Sequence, residues 1–394
     1  ASVRLVPLPA IVWTLLSLCA GCHPSSMEAP TAAPASLPNP SPADLPTTAA
    51  GPNLISSAPA VTEEQSEFFP FEVLDLEVAG GAVVVAGPET VALVDASGPR
   101  WTVALQGPTA GFTIAGPCVL IGDGATLSCR QLDGVEAWSV PIPTGSVLDV
   151  AVHGEDAVLA MDDGELLRAD LAVCAQGESC FTSAGKHGLR DPEIAVLADG
   201  SVLAVDGVGA QGARLISADG KALGTARGAT SSVMGAPLLM AGSQLLRADP
   251  TCPQEVCFAP VRKMPDQGFM APVEVPDVGI AYVDAYGVVE LAKPDALGRE
   301  WSVDAGVRSN LASDEQHWVF GVAVALEEIG APPKSEPPRL VALSASNGAK
   351  GMNRKLGGTP ANALEGFLVD ASPVIVVAAV ANELFMYPVP PPQR

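Results

Sequence analysis

The chain is expected to fold as an all-β protein, a β-propeller of four-stranded antiparallel blades. Three observations carry this expectation. Past residue 68 a degenerate unit recurs, its large apolar positions (Trp101, Trp138, Phe181, Leu223, Phe258, Trp301, Met352) stepping by 37, 43, 42, 35, 43 and 51 residues, the spacing of propeller blades. Each unit reads as an alternating apolar run, a Gly- or Asp-rich turn, a second run, another turn and an aromatic-led third run, which is a meander of short strands. Composition agrees, because 16% charged and 5% aromatic residues, with 39 Gly and 37 Pro, suit small-residue strands and tight turns better than long surface helices.

Taken in chain order, the amino terminus comes first. Leu5 to Cys19 is apolar apart from Thr14 and Ser17 and follows Arg4, which predicts a secretory signal over residues 1–21. The stretch contains Pro7 and Pro9 and is shorter than the roughly 20 residues a bilayer-crossing helix needs. Ala20-Gly21-Cys22 resembles the bacterial lipobox, with Cys19 where that pattern usually has Leu; the resemblance implies lipidation at Cys22. His23 follows instead of Asp, which by the same resemblance implies sorting to the outer membrane. Residues 22–65 are expected to be a tether: Pro24 to Ala60 holds nine Pro in 37 residues and almost no charge, and so cannot offset the entropy of ordering. Where polyproline-like it would extend about 3.1 Å per residue.

Residues 66–394 are expected to form the propeller. The clearest unit is Thr90-Val91-Ala92-Leu93-Val94-Asp95-Ala96-Ser97-Gly98 before Trp101, echoed by Gln131-Leu132-Asp133-Gly134 before Trp138 and by Leu340 to Gly348 before Met352. A blade cannot bury both faces alone, so the recurring large side chain reads as a wedge filling the gap to the next blade. The last run, Phe367 to Tyr387, is less than a unit, and the strand signal from Phe68 to Leu76 would complete it. Closure from both chain ends makes eight blades, or seven if the end segments pack outside the ring. Leu326 to Pro338 reads as an exposed loop, since its prolines and mixed charge do not form a ladder strand.

The units resemble the pyrroloquinoline-quinone-like repeat (apolar strand, Leu-Asp-Ala-x-Thr-Gly, then Trp) over about residues 68 to 390, most strongly from Val91 to Trp101. That group includes quinoprotein dehydrogenases and non-enzymatic lipoprotein propellers that assist insertion of outer-membrane barrel proteins. The second kind combines the same anchor, tether and eight-bladed domain. The vicinal Cys-Cys pair of the quinoprotein alcohol dehydrogenases has no counterpart here, which argues against quinone binding.

Of eight cysteines, six lie in the domain as three close pairs, and an exported location permits disulfides. Cys118 and Cys129 are equidistant from Asp123-Gly124, so a two-residue turn there would set them directly opposite; a longer loop would relax the bridge. Cys174 with Cys180 and Cys252 with Cys257 each follow Arg-Ala-Asp and precede Phe, placing them in equivalent turns of two blades. Their spacings are not those of zinc knuckles, and no Cys-x-x-Cys occurs in the mature domain.

Forty-four acidic against 21 basic residues, net charge -23, exclude nucleic acid and an anionic membrane surface as electrostatic partners of the folded part. His23, His153, His187 and His317 are scattered, and no Gly-x-Ser-x-Gly, His-Glu-x-x-His or phosphate loop is present. The Asp-Gly pairs at 123, 133, 163, 199, 206 and 219 read as turns, not calcium loops. No catalytic, cofactor or metal residue is therefore expected, and function should lie in contact with envelope or outer-membrane proteins, the membrane being reached through a lipid anchor. Candidate contact features are the 326–338 loop, the turn Pro265 to Met270, and Trp318. The competing readings are a quinone-dependent oxidoreductase, which would need charged groups from several blades converging at the central channel, and a carbohydrate- or small-ligand-binding surface.

Overall fold

The structure, a computed structural model, describes residues 61–106, 110–206, 211–233, 236–252, 257–263, 272–284, 286–293, 299–324, 336–357 and 367–392. Within them lie eight four-stranded antiparallel sheets, each formed from consecutive strands except the one that joins the two chain ends. The chain enters through β1 (Gln65–Phe68). Blade 1 is β2 (Asp75–Ala79), β3 (Ala82–Gly87), β4 (Thr90–Asp95) and β5 (Gly98–Ala104), and blade 2 is β6 (Ala110–Ala115), β7 (Cys118–Asp123), β8 (Thr126–Gln131) and β9 (Glu136–Pro141). Blade 3 holds β10 (Val147–His153), β11 (Asp156–Met161), β12 (Glu165–Asp170) and β13 (Phe181–Lys186), with the single-turn helix α1 (Leu171–Cys174) between the last two. Blades 4 and 5 are β14 (Pro192–Val196), β15 (Val202–Asp206), β16 (Ala213–Ile216), β17 (Ala222–Ala226), then β18 (Ala229–Val233), β19 (Ala236–Ala241), β20 (Gln244–Ala248) and β21 (Phe258–Lys263). Blades 6 and 7 are β22 (Val273–Val275), β23 (Gly279–Val283), β24 (Val288–Ala292), β25 (Trp301–Asp304), then β26 (Ala312–Ser313), β27 (Trp318–Ala323), β28 (Arg339–Ser344) and β29 (Lys350–Lys355). Blade 8 is β30 (Phe367–Ala371), β31 (Ile375–Val380) and β32 (Glu383–Pro388), with β1 as its fourth strand. Eight blades, and not seven, close the ring.

The middle strands show why the sequence reads as it does. Val83 and Val85 belong to a buried cluster shared with blade 8, whereas Val84 belongs to one shared with blade 2. Successive side chains leave opposite faces of a strand, so a strand covered on both sides must be apolar throughout. β3 and β31 are accordingly buried at every residue, while the outermost β5 and β29 alternate or lie open. The core is therefore not one mass but eight clusters, one in each seam between neighbouring blades. Each fully buried Val or Leu in them contributes about 1.5–3 kcal/mol relative to exposure. No helix among the described residues is long and apolar enough to cross a membrane.

The recurring wedge residues all lie on outermost strands. Trp101 reaches forward to blade 2, where its Nε1–H donates to the Gln131 carbonyl (3.0 Å), and Trp301 does the same to Ala345 of blade 7 (2.8 Å). Gly134 and Gly348, in the receiving turns, have φ of +90° and +71°. A Cβ at Gly348 would sit 2.9 Å from the Trp301 ring, so the turn glycine is needed for conformation and for room. Phe181 and Phe258 depart from the expectation. They pack with the clusters of the preceding seams, 2/3 and 4/5. Opposite Ala169 and Ala248 respectively, they sit one strand position out of phase with the tryptophans, and a one-residue shift turns a side chain to the other face.

Closure also differs in detail from the expected Phe68–Leu76 strand. Only Phe68 of that run is in β1, which pairs residue by residue from Gln65↔Met386 to Phe68↔Glu383. Residues 69 to 74 instead cross over the β31–β32 turn: the Phe69 N–H donates to the Asn382 carbonyl (2.9 Å) and the Val73 N–H to that of Ala381 (2.8 Å). Phe69 and Val73 are buried beneath this crossing.

Three disulfides join Cys118 to Cys129, Cys174 to Cys180 and Cys252 to Cys257. The second and third close the turns between the third and fourth strands of blades 3 and 5. Cys118 and Cys129 are not directly opposite, as a turn at Asp123-Gly124 would have made them. The turn residues are Gly124-Ala125, Asp123 pairs with Thr126, and Cys129 faces Leu120, so the bridge runs diagonally with Cα atoms 5.6 Å apart.

Candidate functional site

In every sheet but the one that begins with β18, the first strand stands against the first strand of a neighbouring sheet, so these strands line the channel on the ring axis. Several bring a carboxyl there: Asp75 and Glu77 on β2, Asp149 on β10, Glu193 on β14, Glu274 on β22 and Asp370 on β30. Three of them stitch one blade to the next. Asp370 Oδ2 accepts the Val78 N–H of blade 1 (2.7 Å), and Asp149 Oδ2 accepts the Ile194 N–H of blade 4 (2.7 Å). Glu77 Oε1 accepts the Ile114 N–H (3.1 Å) and the Thr113 hydroxyl (3.2 Å) of blade 2. At seam 7/8 an uncharged group does this work: Asn310 donates to the Val369 carbonyl (2.7 Å) and accepts its N–H (2.9 Å).

The electrostatics follow from placement. Asp370 is 8% exposed, while Asp75 and Glu193 meet the water of the channel but are walled by protein on most sides. Loss of hydration raises every one of these carboxyls, and mutual repulsion centred on Asp75 adds to it. The pKa is pushed up to about 6 at Asp75, about 7 at Glu77 and Asp370, and about 8 at Asp149, with the N–H donors opposing the rise at each. Among the described residues the one cation acting on this set is Arg247, beside Glu274. Carboxyls do converge on the channel, but no group of three or more His, Cys, Asp or Glu among the described residues could hold a metal ion.

The histidines are not brought together. His187 is fully buried, with Nε2 2.9 Å from the Met161 carbonyl and Nδ1 accepting the Leu189 N–H (3.1 Å), and burial holds its pKa below the usual histidine value. It is a neutral core residue joining blades 3 and 4. His153 ends β10, and His317 is exposed in the β26–β27 turn, beside a cavity of about 80 Å³ shared with Ser344 and Ser346. Ligand pockets usually measure about 300–1,000 Å³. Three of the Asp-Gly pairs act as turns: Asp133, Asp163 and Asp199 each accept an N–H two residues on, while Gly207 lies outside the described residues. Trp318, a candidate contact residue, is 1% exposed and its Nε1–H donates to the Pro390 carbonyl (2.8 Å); it is core, because β27 is covered on both faces. The Pro265–Met270 turn, residues 326–335 of the loop, Cys22 and His23 lie outside the described residues.

Exposed apolar side chains mark a different surface. Phe68 (68% exposed), Leu74 (53%) and Tyr286 (66%) lie on the face where the chain passes from blade to blade, whereas Val135 and Val374 lie on the opposite face. Leu74 directly precedes Asp75, so the crossing segment brings an exposed apolar side chain next to the acidic inner strand of blade 1. Sequence reasoning did not find the carboxyls, although a signal existed: an acid between apolar residues opens several units, as in Leu76-Glu77-Val78, Leu148-Asp149-Val150 and Val369-Asp370-Ala371.

No protein-family model matches the chain, and no curated protein matches it. Among solved structures it is similar to the computationally designed Ika8 protein, at 12% identity and TM-score 0.55 over 82% of this chain and 98% of that one. It is likewise similar to BamB from Moraxella catarrhalis, at 12% identity and TM-score 0.54 over 84% of this chain and 98% of that one. At such identity the likeness shows the fold alone: an eight-bladed β-propeller.

Proposed function

We propose that this chain is a non-enzymatic, membrane-anchored propeller that acts as a protein-interaction scaffold in the bacterial cell envelope, held at the outer membrane by lipid on Cys22. The observation that carries the reading is the exposed trio Phe68, Leu74 and Tyr286 on one face of a rigid ring whose other large apolar side chains are largely withdrawn into seams. An exposed apolar patch beside a polar rim is the usual mark of a contact surface; Phe68 and Leu74 flank one crossing segment, and Tyr286 lies two blades away on the same face. Similarity in fold to BamB and the sequence resemblance to lipoprotein propellers that assist barrel insertion support the same reading. The partners would be envelope or outer-membrane proteins. Their apolar side chains would meet the trio, while the acidic mouth would favour basic neighbours and speed encounter. Lipid and tether would add to affinity by confining the ring near membrane partners.

A photo-crosslinking amino acid at position 74 or 286 in the full chain, expressed in a bacterial envelope, should capture a discrete envelope protein. The same probe at Val135, on the opposite face, should not. Cys22→Ala should abolish fatty-acid labelling and release the chain from the membrane fraction. Stoichiometric quinone binding with reduction of an electron acceptor by the purified chain would overturn the reading.

A further inference from the structure

At the seam that closes the ring, as at seam 3/4 with Asp149 and Glu193, acid stands on both adjoining inner strands, and around the closing seam three such carboxyls gather. Asp370 of blade 8 bonds Val78 across seam 8/1, Glu77 of blade 1 bonds Ile114 and Thr113 across seam 1/2, and Asp75 stands two residues before Glu77 on the same strand. Ser372 Oγ–H also donates across this seam to the Gly80 carbonyl (2.7 Å). We propose that these carboxyls form a proton-operated latch on ring closure: protonated, they let blades 8, 1 and 2 lock together; ionised, they repel one another across the seam and loosen it.

The surroundings leave the repulsion without an offset. From the other first strands the facing titratable groups are Asp149 on β10, Glu193 on β14 with Asp191 just before it, and Glu274 with Arg247 beside it. His153 is at the far end of β10, β6, β18 and β26 contribute no titratable residue, and Arg308, on the inner edge of blade 7 just before β26, has an interaction of its own. On the outer side of the seam Asp95 is already paired with Arg100 (2.5 Å) and Glu67 lies against Gly98; Glu383, and Tyr387 whose hydroxyl Glu64 accepts (3.2 Å), belong to seam 7/8. No cation among these reaches Asp75, Glu77 or Asp370. Their folded pKa values lie above the unfolded ones, so the folded chain binds more protons between about pH 4 and 8. Stability is then fully present below the unfolded values and is lost as pH rises through the folded ones.

The test uses the full chain. Its melting temperature should fall between pH 5 and pH 8.5, and the near-isosteric pair Asp370→Asn with Glu77→Gln, which cannot ionise and keeps one acceptor oxygen on each side chain, should flatten that slope. Independently of any variant, hydrogen exchange corrected for intrinsic rate should show opening of β1, β2 and β32 increasing at least about tenfold from pH 6 to pH 8, the change that one pKa unit represents. Peptides of β27 and β28 should change little. A melting temperature that is flat or rises with pH, a doubly substituted chain that keeps the wild-type slope, or an exchange response equal in all blades would each overturn the latch.

Discussion

Seam 1/2 and seam 8/1 are built on one plan with one substitution, and the contrast shows what a seam requires. In blade 1 a row runs from the channel outward as Glu77, Val84, Leu93 and Trp101, and in blade 8 the matching row is Asp370, Val377, Met386 and Gln65. Both rows hold a carboxylate at the channel, two apolar residues between, and a side-chain N–H at the rim. The Gln65 Nε2–H donates to the Ala96 carbonyl of blade 1 (2.8 Å), doing for closure what Trp101 does at Gln131. What differs is volume. The rim of the closing seam is held by a hydrogen bond without an aromatic ring, and the covalent turn that joins the third and fourth strands of the other blades is replaced in blade 8 by β1 pairing with β32. Closure thus rests on ladder hydrogen bonds and the buried cluster from Ile375 to Met386, with little contribution from the rim residue.

The largest effect expected from breaking this plan is at a fully developed wedge. Trp301→Ala, at a residue 8% exposed, should cost about 3–5 kcal/mol by denaturant unfolding, since it opens a cavity and leaves the Ala345 carbonyl unpaired. Removing the turn staple of blade 3 with Cys174→Ser and Cys180→Ser should cost about 2 kcal/mol, the chain-entropy value for so short a loop, and should leave the closing seam unchanged in hydrogen exchange. Raising pH from 5 to 8.5 should lower the melting temperature, with the loss concentrated where buried carboxyls bridge blades: Asp370 and Glu77, pushed up to about 7, at seams 8/1 and 1/2, and Asp149, pushed up to about 8, at seam 3/4. Gln65→Ala should cost only about 1 kcal/mol, the worth of one hydrogen bond, and a loss comparable to Trp301→Ala would disprove the view that the rim matters little to closure. Val135→Ser, 56% exposed on the face opposite the contact trio, should stay within about 0.5 kcal/mol and leave partner capture intact.

Legibility followed burial. Strands buried on both faces, such as Val83 to Val85 and Ile375 to Val380, are apolar throughout and stand out in the sequence, as do the tryptophans that cap forward-facing seams. Gln65 does not, because a glutamine in a polar stretch has no signature apart from its partner, so the strand signal in the sequence begins at Phe68 while β1 begins at Gln65. Trp318 misled for the opposite reason: an aromatic residue next to Asp314-Glu315-Gln316-His317 reads as exposed, yet Asp314 accepts the N–H groups of Gln316, His317 and Trp318 and folds that polar run into a tight turn above the core. The carboxyls of the channel were legible only as isolated acids, because Asp75, Asp149 and Asp370 are separated by most of the chain.

The period, the strand character and the turn chemistry determined an all-β ring from sequence alone, because they arise from contacts within a unit of about 40 residues, and local alternation and Gly conformation record those directly. The blade count, the direction in which Phe181 and Phe258 point, and the convergence of acids on the axis were decided only in three dimensions. Each depends on how units meet one another, and a one-residue change of strand phase or the choice of strand that closes the ring leaves local composition almost untouched.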